Sequence, residues 1–276
     1  MVKTKKLPTM NILLPTDFSE NSRNAIKYAL KLFEEVPCTF HLLHVDPTHK
    51  KNEVSLNGLI ADKQESFQKL REWLNNSKLN PEHRFISVVK ADFLIEAIRK
   101  QILEKNIDLI VMGTKGLTNR KTTIIGNNTS EVMLKVKCSV MAISENTVFR
   151  KPKNVLFPTD YKIHYEEKMI EALQGFLFLS GASIKMLEIY NTEKEPTEEQ
   201  LTNRKHFQDY FKSPLLPAQT FYSFKEKNFW KLFITNRNVN LIVMAAKNLD
   251  ICQRLLHNPQ KNQIPFISRL PLLMLH

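Results

Sequence analysis

The chain repeats itself, and a long-period repeat narrows its possible folds more than any other feature. Asn11-Ile-Leu-Leu-Pro-Thr-Asp17 returns as Asn154-Val-Leu-Phe-Pro-Thr-Asp160, 143 residues on. Ile107-Asp-Leu-Ile-Val-Met112 returns as Val239-Asn-Leu-Ile-Val-Met244, now 132 residues on, and Ser139-Val-Met-Ala-Ile143 returns as Pro271-Leu-Leu-Met-Leu275 at that same offset. The drop from 143 to 132 makes the second copy about eleven residues shorter in its middle. Surface loops tolerate such a loss, so the shortening is expected there. Similarity at a fixed long period is the mark of a duplicated structural unit. The 276 residues therefore divide into two copies of one domain, split near Glu145–Pro152.

Within the first copy, strands read at 11–16, 38–45, 84–90, 108–113 and 139–143. Most are near-continuous apolar runs, as in strands covered on both faces of a parallel sheet. Helical spacing lies between them, in Phe67, Leu70, Trp73 and Leu74 and again in Leu94, Ile95, Ile98 and Ile102, with Asp92 placed to cap the latter helix. Strand–helix alternation with right-handed crossovers predicts an α/β class. The expected architecture is two Rossmann-like doubly wound domains, each a five-stranded parallel sheet with helices on both faces, arranged as a pseudo-dimer. In such sheets ligands bind beyond the carboxyl ends of the strands. The loops after strands one and four would flank that crevice.

The loop after strand four is unusual. Three of only six glycines fall in Gly113-Thr-Lys-Gly116-(nine residues)-Gly126-Asn127. Glycine permits φ > 0 and close backbone approach. A strand, a glycine-bearing loop and a helix start together are how phosphate is often held, by free N–H groups and the positive end of the helix dipole. Gly113 and Gly116 would turn the chain off the strand and expose N–H groups, and Gly126 would open the helix facing the anion. A turn closing a strand–helix connection is the plainer alternative. Lys115, Arg120 and Lys121 add charge that either reaches phosphate oxygens or is solvated.

The remaining features mostly exclude. The net charge of +12 is spread along the chain, with its densest cluster in Lys3-Thr-Lys5-Lys6, and no basic stripe carries interleaved aromatics. Specific nucleic-acid binding is therefore not expected. Cys38, Cys138 and Cys252 lie far apart without metal or CxxC spacing, which suits a reducing cytoplasm. The N-terminus lacks an apolar core for a signal peptide, and no apolar run approaches membrane-spanning length, so the expectation is a cytoplasmic protein with no membrane partner. There is no nucleophile elbow, no HExxH and no Cys/His cluster, so no catalytic residues and no metal ligands are expected. The loop also lacks the Gly-Lys-Ser/Thr end of a P-loop, so any ATP hydrolysis should be slow.

Pro15-Thr16-Asp17-Phe18-Ser19 after strand one, and a strand ending Val111-Met112-Gly113-Thr114 followed by G-x2-G-x9-G, resemble the universal stress protein family. The resemblance extends to both halves and so to a tandem member, with a nucleotide-binding domain at 1–148 and a degenerate one at 152–276. It implies ATP as ligand, with Mg²⁺ carried on the phosphates. It also implies a nucleotide set of Pro15, Thr16, Asp17, Val45, Met112, Gly113, Gly116, Gly126, Asn127, Asn128 and Thr129. The family normally places Ser or Thr after the last glycine. Here Asn127 stands instead, an amide that can still donate, with Asn128 and Thr129 next.

Asp17 has two readings. It can cap the first helix through Asp17-x-x-Glu20, or, by resemblance, face the nucleoside. Val45 would act through its backbone, and His44 beside it reads as a packed strand-end residue. In the second copy Gly113 becomes Ala245, Gly116 becomes Asn248, Gly126 becomes Asn258 and Asn127 becomes Pro259. Asn can keep positive φ, yet two Asn side chains crowd the cradle, Pro259 removes an N–H, and Pro265 interrupts the next helix. One nucleotide per chain is expected. Its presence would order residues 114–128 for an unidentified protein partner. Strands 139–143 and 271–275 are expected to pair across the pseudo-two-fold, and homodimerisation of whole chains stays open. The competing readings are a non-nucleotide interaction scaffold and a slow ATPase or nucleotidyl transferase.

Overall fold

The computed structural model describes residues 9–47, 56–114, 126–189, 195–210, 216–221, 238–253 and 269–276. They form two compact units that meet in the chain between Glu145 and Asn146. The first runs β1 (Met10–Pro15), α1 (Glu20–Leu32), β2 (Cys38–Val45), α2 (Leu56–Asn75), β3 (Arg84–Lys90), α3 (Leu94–Lys105), β4 (Leu109–Thr114), α4 (Asn127–Lys135) and β5 (Val140–Ser144). Its strands are parallel in the order β3-β2-β1-β4-β5. The second runs β6 (Asn154–Thr159), α5 (Glu167–Ser180), β7 (Ser183–Ile189), α6 (Glu198–Asp209), β8 (Leu216–Phe221), β9 (Leu241–Ala245), the single turn α7 (Leu249–Cys252) and β10 (Leu272–Leu275). Its strands are parallel in the matching order β8-β7-β6-β9-β10.

Each core follows from the apolar runs. Ile12, Leu13 and Leu14 of β1, and Ile110 and Val111 of β4, are buried on both faces, as are Val155, Leu156 and Phe157 of β6. A parallel sheet covered by helices on both sides requires this. Helix α1 lays Ala25, Ile26, Ala29 and Leu30 inward and packs on β4 and β5. Helix α2 buries Phe67, Leu70 and Leu74 at the expected spacing.

The two units match down to single hydrogen bonds. The Asn11 N–H donates to Asp108 Oδ2 at 2.7 Å, and its counterpart on Asn154 donates to Asn240 Oδ1 at 3.1 Å. Asn11 Nδ2 donates to the carbonyl of Asn106, and Asn154 Nδ2 to that of Asn238. Asn106 and Asn238 both stand in left-handed backbone, at φ 47° and 49°. Asn is one of the few non-glycine residues that adopt it readily.

Three expectations need correction. The second copy is shortened not in a surface loop alone but in the helical crossover before its outermost strand: α2 has 20 residues and α6 has 12. Asp92 does not cap α3; the cap is Phe93, without a side-chain bond, and Asp92 instead accepts from the Phe93 N–H and from Lys100 Nζ at 2.7 Å. Asp17 does not cap α1 either. That cap is Ser19, whose hydroxyl accepts from Ser22 N–H, while Asp17 Oδ1 accepts from Ser19 N–H at 3.1 Å and Ser19 Oγ at 2.6 Å.

Candidate functional site

In the first unit β1 pairs with both β2 and β4, so the loops leaving these strands share one edge. Pro15 and Thr16 are buried there, and Asp17 is exposed. Thr16 organises the turn: its N–H donates to Leu43 O at 2.8 Å, and its Oγ1 accepts from Phe18 N–H at 3.0 Å. That second bond holds Phe18 at φ 63°, a conformation that costs an aromatic residue about 1–2 kcal/mol. Ser22 Oγ lies 3.0 Å from Thr16 Oγ1 and gives its own proton to Ser19 O, so Thr16 is the donor of that pair. Burial alone would raise the Asp17 pKa. The hydroxyl and N–H of Ser19, with Ser22, outweigh that and hold the carboxyl below its ordinary value, so it is an anion at neutral pH.

Gly113 is required, but not as a turn. It lies inside β4, paired with Ile143. A Cβ there would sit 2.8 Å from the Asn21 carbonyl oxygen and 2.9 Å from Asn21 Nδ2. Glycine is needed because the first turn of α1 rests on the strand. Asn21 Nδ2 donates to Thr114 O in that contact. Thr129, buried in α4, gives its hydroxyl proton to Gly113 O at 3.0 Å, tying the helix start to the strand end. Asn127 and Asn128 are exposed at the start of α4, Gly126 directly precedes them, and no acidic side chain occupies the first turn. The positive end of this helix is therefore not neutralised by its own residues. Val45 ends β2 half-buried, and Met112 is buried in β4. Gly116, Lys115, Arg120 and Lys121 lie outside the described residues, as do Asn258, Pro259 and Pro265.

Residues that the sequence gives no binding role complete this edge. His44 Nδ1 lies 2.9 Å from Thr16 O; a carbonyl only accepts, so Nδ1 carries the proton. His44 Nε2, Asn21 Oδ1 and Thr114 Oγ1 are buried polar atoms without a hydrogen-bond partner among the described residues. Such atoms are uncommon because leaving one unpaired costs about 1–3 kcal/mol. Three of them occur on residues directly bonded or adjacent to the Thr16 turn and the end of β4.

The corresponding edge of the second unit is filled from within. Thr159 repeats the Thr16 bond, accepting from Tyr161 N–H at 3.0 Å and holding Tyr161 at φ 53°. Tyr165 stands where Ser22 does and pairs its hydroxyl with Thr159. Asp160 is buried, accepting from Lys162 N–H at 3.1 Å and from Asn248 Nδ2 at 2.8 Å. Asn248, the counterpart of Gly116, does not use left-handed backbone. It stands at φ −83° and caps α7 by accepting from Ile251 N–H. Glu188, at the position of His44, is buried against Arg204 at 3.1 Å and accepts from Tyr161 Oη at 3.3 Å. Phe157, Tyr161, Tyr165 and Phe207 close around one another edge-on or stacked. Where the first unit leaves His44 Nε2 and Asn21 Oδ1 open, the second fills the equivalent edge with its own side chains, and its one unpaired nitrogen there among the described residues, Arg204 Nε, is ion-paired with Glu188.

Known proteins resemble the chain in the same region. Residues 8–144 match the model of the universal stress protein family. These residues belong to the universal stress protein family. Two universal stress proteins of Methanocaldococcus jannaschii are similar: MJ0531, 25% identical over 51% of this chain and 82% of its own length, and MJ0577, 26% identical over 48% and 93%. The solved universal stress protein from Archaeoglobus fulgidus matches at a TM-score of 0.60 and 15% identity, covering 96% of this chain and 97% of its own. That likeness establishes the fold of both units. Among the described residues no helix is long and apolar enough to cross a membrane, and no three His, Cys, Asp or Glu side chains group to hold a metal ion.

The sequence singles out the two loops, reads His44 as a packed strand-end residue and gives Asn21 no role. Asn21 looks like any polar residue in a first helical turn, and only the strand beneath it shows why Gly113 is glycine. A weak signal existed for Phe18: an aromatic follows Pro-Thr-Asp in both copies.

Proposed function

We propose that the first unit binds ATP at the carboxyl ends of β1 and β4, and that the chain is a tandem universal stress protein whose second unit has lost the site. One contrast carries this reading. The first unit keeps three buried polar atoms without partners at this edge, whereas the second fills the equivalent edge with Tyr161, Tyr165, Asn248 and the Glu188–Arg204 pair. Gly126, Asn127 and Asn128 at the start of α4 would meet the phosphates with N–H and amide donors. Asp17 and the Val45 backbone would lie toward the nucleoside. Gly113 and Thr129 would support the cradle rather than touch the ligand, since their groups are taken up in packing and in the Thr129–Gly113 bond. Any Mg²⁺ would travel with the phosphates.

The role is a nucleotide-responsive binding protein of the cytoplasm, with occupancy altering what the loop after β4 offers a partner. That requires different nucleotide affinity in two loop states. Titration calorimetry with ATP tests the reading: one site per chain is expected, and Gly126→Asp, which sets a carboxylate before the helix start, should abolish it. No heat at millimolar ATP would reject it. A ligand-free scaffold is the second reading, favoured by Gly113 being explained by helix packing alone. Phosphate release no faster than in the Gly126→Asp control would retire a hydrolytic role.

A further inference from the structure

We infer that His44 is a specificity-determining residue, whose Nε2 accepts a hydrogen bond from an N–H or O–H donor on the nucleoside half of the ligand. This rests on the nucleotide-binding reading above and assigns a direction to the site.

Because Nδ1 gives its proton to Thr16 O at 2.9 Å, neutral His44 presents Nε2 as an acceptor. That nitrogen is buried and unpaired. The ring is fixed on both counts: Phe18 lies against it with centroids 4.9 Å apart, and Phe18 is itself held edge-on by Phe67 at 4.9 Å. A rigid acceptor cannot turn to suit a different partner. Asn21 Oδ1, the second unpaired atom of this edge, is also an acceptor, because Asn21 Nδ2 is already spent on Thr114 O. Phosphate oxygens are predominantly deprotonated and anionic at neutral pH and would be repelled by both. Groups that satisfy them are a sugar hydroxyl or an exocyclic amine. The anionic half of the ligand is thereby directed to the start of α4, and the neutral half to His44. The second unit follows the same pattern: there the position holds Glu188, also an acceptor, and the protein supplies its own donor, Tyr161 Oη, with the Arg204 charge 3.1 Å away.

The test is a cycle of ligands against variants, read by calorimetry on the full chain. Wild type and His44→Phe, which keeps the ring contacts but removes both nitrogens, are titrated with ATP, purine riboside triphosphate (lacking the amine), 2′-deoxy-ATP and 3′-deoxy-ATP. Wild type should bind one of the three analogues roughly tenfold more weakly than ATP, and His44→Phe should erase that difference. Loss with purine riboside triphosphate identifies the amine as the donor; loss with a deoxy analogue identifies that hydroxyl. ATP binding with no discrimination in wild type, or discrimination unchanged in His44→Phe, overturns the role of His44 while leaving the site standing. Failure of wild type to bind any of the four overturns the site itself. The wild-type series needs no variant, so a misfolded His44→Phe does not stall the test.

Discussion

Gly113→Ala should cost the first unit about 2 kcal/mol of stability. The new Cβ would lie 2.8 Å from the Asn21 carbonyl oxygen and 3.0 Å from its carbonyl carbon, and both are backbone atoms of a helix rather than the tip of a flexible side chain. Relief means lifting the first turn of α1 from β4, which breaks the Asn21–Thr114 bond and strains the Thr16 turn that enters the helix. Overpacking of this kind typically costs about 1–3 kcal/mol. The second unit contains its own control. Ala245 occupies the equivalent place without difficulty, because α5 begins at Glu167, and His164, the counterpart of Asn21, lies before the helix and is exposed. Ala245→Gly should therefore cost only the fraction of a kcal/mol set by backbone entropy. Urea unfolding followed by circular dichroism, with hydrogen exchange assigning the loss to the first unit, measures both. A Gly113→Ala midpoint equal to wild type would refute the packing argument and return Gly113 to a role in the loop.

Other outcomes follow from the same geometry. His41 is buried on β2 with neither ring nitrogen paired, and burial, then the Lys105 charge, lowers its pKa. Its neutral form is the folded one, so its contribution is present above the ordinary imidazole range of about 6.5 and drains away as pH falls below it. The urea midpoint of the first unit should drop on acidification, and His41→Leu should flatten that drop; equal slopes would contradict it. Asn248→Ala removes both a helix cap and a donor to Asp160, and should destabilise the second unit by about 1–3 kcal/mol. It should leave ATP binding unchanged, which calorimetry on the variant checks. Tyr165→Phe removes one of the two partners of the buried Thr159 hydroxyl, leaving the Tyr161 N–H bond, and should cost about 1 kcal/mol in the same assay.

The strands were legible because buried parallel strands are apolar runs. The predicted strands at 38–45 and 84–90 coincide with β2 and β3, and the other three of the first unit shift by a residue. Caps were read less well. Asp17 and Asp92 both bond near helix starts, but Ser19 lies two residues closer to the first helical turn than Asp17 does. Asp92 precedes its cap and is drawn to Lys100 across two turns. Local spacing does not reveal which of two nearby acceptors will win. The packing that crowds a Cβ at Gly113 was not legible, since the atoms concerned lie 92 residues away in the chain. The filling of the second unit's edge was partly visible in the loss of glycine. The Tyr161–Glu188–Arg204 network was not, because it joins three separate elements.

Calorimetry with ATP on the chain, repeated on Gly126→Asp, decides whether the first unit holds a nucleotide at the start of α4. One nucleotide per chain is expected, lost in the variant. Two per chain, or one that survives Gly126→Asp, would contradict it.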